Sequence, residues 1–358
     1  MKTIARMALE PGMVLSEDVL SAKGEIIVPA KSEVNDSVIS KLTRYSIMVV
    51  SIMEEIDYAT THFEKIRLSD GFRLFEESYQ TYFPLYKDMM NNLVENSVPV
   101  DTDELMDIYH KLTDPISSNK TRLDYLYNMI SNEDELTHTH CFNSALIAGV
   151  FADWLGMKND EKNLLILCAF FYDIGKLKLP NELLWKSEKL NDEEFAQIRT
   201  HPLLGYDIVK NQTNLDPHVL KCVVMHHERC DGQGYPSKLQ MQQIDFYARH
   251  ITIIDAYEAM TSPRVYRQSL TPLKVVERFD KTGMLQYDYD ILHPIVTRIA
   301  DSQIGLTVKL NDDSFWDIFL INQLCLSRPV LKNYIDEKKE YEFLDLMKRP
   351  DLEIMAIY

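Results

Sequence analysis

The spacing of hydrophobic and polar positions predicts a mainly α-helical chain with short β segments at both ends. Close to the start, residues 26–28 and 47–52 are apolar runs rich in β-branched residues. Between them, Val38, Ile39 and Leu42 recur at the spacing of one helix face. We therefore predict a small α+β accessory domain at residues 1–55.

Residues 56–130 have the periodicity of helices whose apolar side chains form stripes. The two stripes consist of Phe72, Phe75 and Tyr79, and of Leu105, Ile108, Tyr109 and Leu112. Stripes of this kind are typical of a helical core or of a dimer interface rather than of a cofactor site. We therefore expect a helical connecting or sensory segment, through which the chain could form a homodimer.

The remaining two regions differ in pattern. Residues 131–300 are again mostly helical, and their ionisable residues fall in clusters. Beyond them, apolar runs at residues 306–310 and 315–321 flank the polar residues 311–314, a pattern typical of a β-hairpin. We predict a helical domain at residues 131–300 and a C-terminal hairpin with a helix extension at residues 301–358.

Composition and charge limit the classes of function. The 358 residues are 46% hydrophobic and 26% charged, which is typical of a soluble globular protein and argues against disorder. The formal net charge of -17 disfavours nucleic acid and anionic membranes as partners, because both bind to positive surfaces. A small anionic molecule can still bind where a few cations converge.

The cysteines and the N-terminus indicate a cellular compartment. The five cysteines are widely spread and include no CxxC pair, so neither a disulfide framework nor a zinc ribbon is expected. Residues 1–10 lack the apolar core of a signal peptide, and no apolar run approaches the roughly 20 residues that span a bilayer. We therefore expect a cytoplasmic protein without a membrane segment.

Ionisable residues within or beside apolar helical runs are the candidate chemistry. They are His140, Asp173, His201, His226, His227 and Asp255. The histidine pair alone could simply end a helix. An acid such as Asp173 or Asp255 is costly to bury, however, unless a metal or a cation neutralises it. Imidazole and carboxylate together suit zinc, iron or manganese, and two such ions about 3.5–4 Å apart can hold the oxygens of a reacting phosphoryl group. The pattern therefore indicates a shared metal centre.

Longer motifs connect these residues with a known family. The matching pieces are Thr137-His138-Thr139-His140, Tyr172-Asp173-Ile174-Gly175-Lys176, His201-Pro202-Leu203-Leu204-Gly205, the run from His226 to Pro236, Arg249 with Asp255, and Arg264-Val265-Tyr266-Arg267. In this order they resemble the HD-GYP domain, the cyclic di-GMP phosphodiesterase branch of the HD superfamily, over residues 134–270. The resemblance implies an HD-superfamily helical bundle core and a function in bacterial second-messenger signalling.

The resemblance also implies a role for each site residue. One metal ion would be held by His140, Asp173 and Asp255, and the other by Asp173, His201, His226 and His227. Asp173 would bridge the two ions, for which Fe or Mn is expected, and Lys176 would be the catalytic cation at the scissile phosphate. The substrate would be bound by Lys176, Arg264, Arg267 and Tyr235.

Tyr172 departs from the family pattern, in which a histidine precedes the aspartate and completes the first metal site. A phenol has an unperturbed pKa near roughly 10, so that it binds a divalent ion only at the cost of deprotonation. Three outcomes stay open: a weakened two-metal enzyme, a site with one metal ion, or an inactive domain that still binds nucleotide.

The leading hypothesis is a phosphodiesterase that hydrolyses cyclic di-GMP to pGpG or GMP, with activity reduced by Tyr172. The alternative is a degenerate HD-GYP domain that acts as a cyclic di-GMP receptor or binds a signalling protein. Hydrolysis of another phosphoester is a third hypothesis. The complete ligand set of the second metal site favours an enzyme, whereas Tyr172 favours a receptor.

Overall fold

The structure is a computed structural model, and it describes residues 2–6, 9, 13–21, 24, 26–30, 32–45, 47–52, 61–129, 135–184, 186, 190–262, 269–335 and 340–358. The chain divides into two compact units, Met1–Asp70 and Gly71–Tyr358. As predicted, it is mainly helical, with small sheets toward both ends. None of the described helices combines the length and the apolar composition that crossing a membrane requires.

The first unit has the predicted α+β character. Its elements are β1 (Lys2–Ala5), β2 (Val19–Leu20), β3 (Ile26–Val28), α1 (Asp36–Arg44), β4 (Val49–Ile52) and α2 (His62–Arg67). Strand β1 pairs with β4 and strand β2 with β3, both antiparallel. Helix α1 begins where the Asn35 side chain accepts a hydrogen bond from the Val38 N–H. Its Leu42 is fully buried in a core that also contains Leu15 and Val34.

The helices of the second unit carry the candidate site. They are α3 (Asp70–Asn96), α4 (Thr102–Thr113), α5 (Asn119–Asn128), α6 (Leu136–Trp154), α7 (Asn159–Phe171), α8 (Asn181–Leu184), α9 (Asp192–Ile198), α10 (His201–Val209), α11 (Pro217–Met225), α12 (Phe246–Thr261), α13 (Pro272–Gln286) and α14 (Tyr289–Asp301). Helix α6 is buried on every side and packs against α5, α7, α12 and α14. Its central position places His140 in the interior.

Both predicted apolar stripes lie in the core of this unit. Helix α3 buries the ring of Tyr79, whose hydroxyl donates to Asn143 Oδ1 of α6 at 2.8 Å. Two turns further on, the hydroxyl of Tyr86 donates to the carbonyl oxygen of Phe170 in α7 at 3.0 Å. The stripe of α4 is also buried, and α4 packs against α6 and α7. The stripes therefore surround the two helices that lead into the site.

The C-terminal residues form a five-stranded antiparallel sheet. Its strands are β5 (Thr307–Leu310), β6 (Phe315–Leu320), β7 (Val330–Ile335), β8 (Glu340–Asp345) and β9 (Ile354–Ile357), in the order β8-β7-β6-β5-β9. The predicted hairpin is present as β5 and β6. The predicted helix extension is wrong, because the described residues after the hairpin form strands and one 3₁₀ turn, Leu346–Lys348. Strands β7 and β8 pair along their full length, and this strand pairing outweighs local helix preference.

Candidate metal centre

A close contact between two backbone segments positions Asp173. This residue follows α7 and begins the 3₁₀ turn Ile174–Lys178. Gly175 in the turn lies directly against α10, where an added Cβ atom would be 1.9 Å from the His201 carbonyl oxygen. Glycine is the residue that permits so close an approach. The contact holds Asp173 Oδ1 at 3.2 Å from His201 Nε2.

Gly175→Ala is expected to lower the free energy of unfolding by about 1–3 kcal/mol, because the turn and α10 must move apart to admit a methyl group. Urea denaturation of the parent and the variant measures the change. Leu203→Ala on the same helix removes a side chain that is 52% exposed and serves as the control, with an expected change within about 0.5 kcal/mol. An equally small change for Gly175→Ala would show that the contact is not tight.

Four side chains converge on one point and form the four-ligand group, which consists of Asp173, His201, His226 and His227. One ligand atom from each lies within 4.8 Å of the others. The Nε2 atoms of His201 and His226 are 3.0 Å apart, and both side chains are fully buried. Their Nδ1 atoms lie 2.7 Å from the Ile198 carbonyl oxygen and 3.0 Å from that of Val223. These backbone contacts turn the Nε2 atoms toward Asp173, the orientation that metal-ligating histidines adopt.

The carboxylate of Asp173 is the strongest indication that the four-ligand group suits a metal ion. Both of its oxygens are buried and lack a well-aligned hydrogen bond from a described residue, and Lys176 Nζ lies beside Oδ2 as an ion-pair partner. Burial alone would raise the pKa of Asp173, but Lys176 and His201 outweigh it and hold the pKa well below its usual range. Burial lowers the pKa of His201 to about 4, so that the imidazole is neutral. A buried carboxylate beside a neutral imidazole is a donor combination that zinc, iron and manganese bind.

A second group shares Asp173 and consists of His140, Asp173 and Asp255. His140 Nε2 lies 2.8 Å from Asp255 Oδ1 and 3.6 Å from Asp173 Oδ2. The hydroxyl of Tyr172 enters this group and lies 2.6 Å from the same Nε2 atom. It also lies 3.0 Å from Ser144 Oγ, and the tyrosine side chain is fully buried. The phenol is therefore a hydrogen-bonding partner of the ligand atom that a metal ion would need.

The protonation states of Tyr172 and His140 are consistent with the hydrogen bonds of the Tyr172 hydroxyl. Burial and the nearby carboxylate of Asp255 raise the pKa of Tyr172 well above its usual value, so that the phenol keeps its proton. Burial alone would lower the pKa of His140, but Glu258 and Asp255 outweigh it and raise the pKa to about 10. In the metal-free protein His140 is thus a cation between two carboxylates.

Glu258 is a functional residue that the sequence analysis missed. It lies one turn after Asp255 on α12, is 2% exposed, and contacts His140 Nδ1 through Oε2. Its other oxygen accepts a hydrogen bond from Ser262, the residue that ends α12. A carboxylate on the far nitrogen of a ligating histidine fixes the orientation of the ring. The spacing of three residues after Asp255 in an apolar helix is a signal that could have identified it.

The loop after His227 is held in place by backbone contacts. The carboxylate of Glu228 accepts hydrogen bonds from the N–H groups of Ser237 and Leu239 at 2.6 and 2.8 Å. Gly234 packs so tightly that an added Cβ atom would be 2.5 Å from the Arg229 nitrogen. The loop thereby places the ring of Tyr235 on that of His227, with the ring centroids 4.6 Å apart. Tyr235 therefore lies beside the four-ligand group.

The cations predicted for the site have different positions. Lys176 Nζ lies 2.5 Å from Asp173 Oδ2, and the attraction of Asp173 outweighs burial and raises the pKa of the lysine. Arg264 and Arg267 lie outside the described residues. Arg249, which belongs to the matched motifs, pairs with Asp288. Arg199, which the sequence analysis did not consider, has its guanidinium over the ring of Tyr235 at 4.5 Å.

Part of the chain is similar to a known protein family. Residues 124–291 match the family model described as HD domain. The cyclic di-GMP phosphodiesterase response regulator of Xanthomonas campestris is 31% identical over 42% of this chain and 40% of its own length. A cyclic di-GMP phosphodiesterase of Pseudomonas aeruginosa is 26% identical over 59% of this chain and 50% of its own. A 3'3'-cGAMP-specific phosphodiesterase of Vibrio cholerae is 34% identical over 40% of this chain and 33% of its own.

The chain thus spans about half or less of these curated relatives. Among solved structures, an HDG"Y"P protein from Bdellovibrio bacteriovorus matches with a TM-score of 0.48 and 15% sequence identity. That match covers 83% of this chain and 99% of the other.

Proposed function

We propose that the chain is a metal-dependent phosphodiesterase that hydrolyses cyclic di-GMP to pGpG or GMP in second-messenger signalling, since residues 124–291 match the family model described as HD domain. Relatives named for cyclic di-GMP and for 3'3'-cGAMP support a cyclic dinucleotide as the substrate class. We place the activity in the cytoplasm, since the five cysteines are free thiols, as a reducing compartment keeps them.

The observation that carries this proposal is the four-ligand group. The two buried oxygens of its carboxylate face Lys176 and the imidazole of His201, and two of its histidines are oriented by backbone carbonyls. A divalent ion held there, for which we propose Fe or Mn, would lower the pKa of a bound water and polarise a phosphoryl oxygen. The four residues of the group would hold the ion. Burial would keep His201 neutral, and backbone carbonyl oxygens would orient the imidazoles of His201 and His226.

Lys176 and Tyr235 are the described residues that we assign to the substrate. Lys176 Nζ lies beside Asp173, where a cation stabilises negative charge that develops on phosphoryl oxygens. The ring of Tyr235 lies against His227 and offers a flat surface next to the ligands. We also assign Arg264 and Arg267 to the substrate phosphates, because arginine binds phosphate through two parallel hydrogen bonds.

We propose one ion per chain rather than two. The four-ligand group is complete, whereas the Tyr172 hydroxyl lies 2.6 Å from His140 Nε2 and is hydrogen-bonded within the second group. A protonated phenol is a poor ligand for a divalent ion. The hydroxyl, His140 and Asp255 thus satisfy one another through hydrogen bonds instead of through a metal ion.

A receptor for cyclic di-GMP is the second candidate function. The observation that favours it is again the Tyr172 hydroxyl, which replaces a metal–ligand contact by hydrogen bonds. Such a receptor would bind the nucleotide without hydrolysing it and would transmit the signal to another protein. Its affinity for cyclic di-GMP would not depend on the metal.

Metal removal distinguishes the two functions. Protein purified with Fe or Mn under reducing conditions is expected to contain about one ion per chain and to convert cyclic di-GMP, followed by chromatography. Stripping with a chelator should abolish conversion, and returning Mn should restore it. If the metal-loaded protein binds cyclic di-GMP but converts none, with the same affinity after stripping, the receptor is correct and the enzyme is not.

A further inference from the structure

Arg199 is the cation in the described residues that lies beside Tyr235. It follows α9, two residues before His201. Its guanidinium lies 4.5 Å from the centre of the Tyr235 ring and 5.7 Å from that of Phe195. The ring of Tyr235 in turn stacks on His227. Arg199 is therefore one aromatic ring removed from the four-ligand group.

The neighbouring arginines of the described residues are already paired with carboxylates. Arg229 contacts Asp231, and Arg249 contacts Asp288. Within the described part of the chain, by contrast, the contacts of Arg199 are with aromatic rings, and no carboxylate pairs with it. A guanidinium stacked on a ring face leaves its N–H edges available to a planar or tetrahedral anion.

The charge of the site favours a further cation for a doubly charged substrate. Asp173, Asp255 and Glu258 all lie at the two ligand groups, and Lys176 is held at Asp173. The proposed metal ion and Lys176 would contact the phosphate at which bond cleavage occurs. A second phosphate of the same substrate would lie at a distance from the ligands, where a further cation stabilises its charge. Arg199 is such a cation.

We propose that Arg199 binds the phosphate of the cyclic dinucleotide that is not cleaved, and that stacking on Tyr235 positions the guanidinium for this contact. The inference rests on the proposed function, since it assigns the second phosphate of that substrate. It makes Arg199 a residue that selects dinucleotides over esters with a single phosphate. Arginine suits this task because its planar guanidinium donates two parallel hydrogen bonds to one phosphate.

Two substrates test the assignment. Cyclic di-GMP carries two phosphates, and bis(4-nitrophenyl) phosphate is a diester with one. We compare the KM for cyclic di-GMP with the KM for the single-phosphate diester in the metal-loaded protein. Arg199→Ala is expected to raise the ratio of the first KM to the second by about 10- to 100-fold, because one charged hydrogen-bonded pair is lost. Arg199→Lys should restore part of this ratio, because an ammonium keeps the charge but not the two parallel donors.

The control variant is Arg349→Ala, which removes an exposed arginine paired with Asp351 in the C-terminal segment and should leave the ratio as in the parent. An unchanged ratio in Arg199→Ala, or an equal rise of both KM values together with loss of metal, would overturn the assignment of Arg199. Where the parent binds cyclic di-GMP without hydrolysing it, dissociation constants for cyclic di-GMP and GMP replace the KM values. If the parent neither binds nor hydrolyses cyclic di-GMP, the proposed function fails and the assignment of Arg199 fails with it.

Discussion

Tyr172→His is expected to raise the metal content from about one ion to about two ions per chain. The Nε2 atom of a histidine reaches about 2 Å less far from the backbone than the hydroxyl oxygen of a tyrosine. A bond between a histidine nitrogen and a zinc ion is about 2.0–2.1 Å long and makes up this difference. An ion bound to the new histidine would therefore lie near the present position of the Tyr172 hydroxyl, 2.6 Å from His140 Nε2. His140 Nε2 and Asp255 Oδ1 already lie 2.6 and 3.4 Å from this hydroxyl.

The gain of an ion should also raise the rate of cyclic di-GMP hydrolysis, because two ions hold both the attacking and the leaving oxygen of a phosphoryl transfer. We expect an increase on the order of 10- to 100-fold, comparable with the effect of changing a residue that supports a metal ligand. Elemental analysis of protein loaded with Mn gives the ion count independently of the rate.

Tyr172→Phe is the matched control for this variant. It removes the hydroxyl and its hydrogen bonds to His140 and Ser144 but supplies no new metal ligand. The metal content should therefore stay at about one ion per chain. Two ions in the parent, or a single ion in Tyr172→His, would contradict the view that the phenol closes the second group.

The six ligand candidates could be singled out because they lie within or beside apolar runs and in motifs that resemble the HD-GYP domain. Asp173 ends the run of α7 and Asp255 lies within that of α12, where a buried charge needs compensation. The sequence also contains Tyr172, but its effect depends on where the hydroxyl points. The hydrogen bonds to His140 and Ser144 are tertiary contacts between α7 and α6, which periodicity does not describe.

The residues that sequence analysis missed act through distant contacts. Arg199 follows an acidic helix with the pattern of a solvated surface element, and its contact with Tyr235 joins α9 to the loop after α11. The fifth strand of the C-terminal sheet, β9, was missed for a similar reason. The hairpin of β5 and β6 is local and was predictable, whereas β9 pairs with β5 across more than forty intervening residues. Pairing at such separation leaves no periodic signal of its own.

Asp173→Asn is expected to abolish metal binding and hydrolysis together. Asp173 belongs to both ligand groups, and its two buried oxygens face His201 and Lys176. Asparagine has the same size but carries no charge, and its nitrogen cannot bind a metal ion. We expect less than about a tenth of an ion per chain and a loss of rate on the order of 10³-fold or more, about 4 kcal/mol of transition-state stabilisation.

The alternative explanation of such a loss is a damaged fold, and a matched variant separates the two. Asp207→Asn makes the same chemical change on α10. The carboxylate of Asp207 is 63% exposed and pairs with Lys210 at the surface, so the metal content and rate of this variant should match those of the parent. Circular dichroism of Asp173→Asn should show the helical content of the parent, because the substitution keeps the volume of the side chain. If Asp173→Asn folds, retains one ion and hydrolyses cyclic di-GMP, the ion lies elsewhere and the four-ligand group is not the catalytic site. If it folds, loses the ion and still hydrolyses cyclic di-GMP at the parent's rate, the reaction does not depend on the metal.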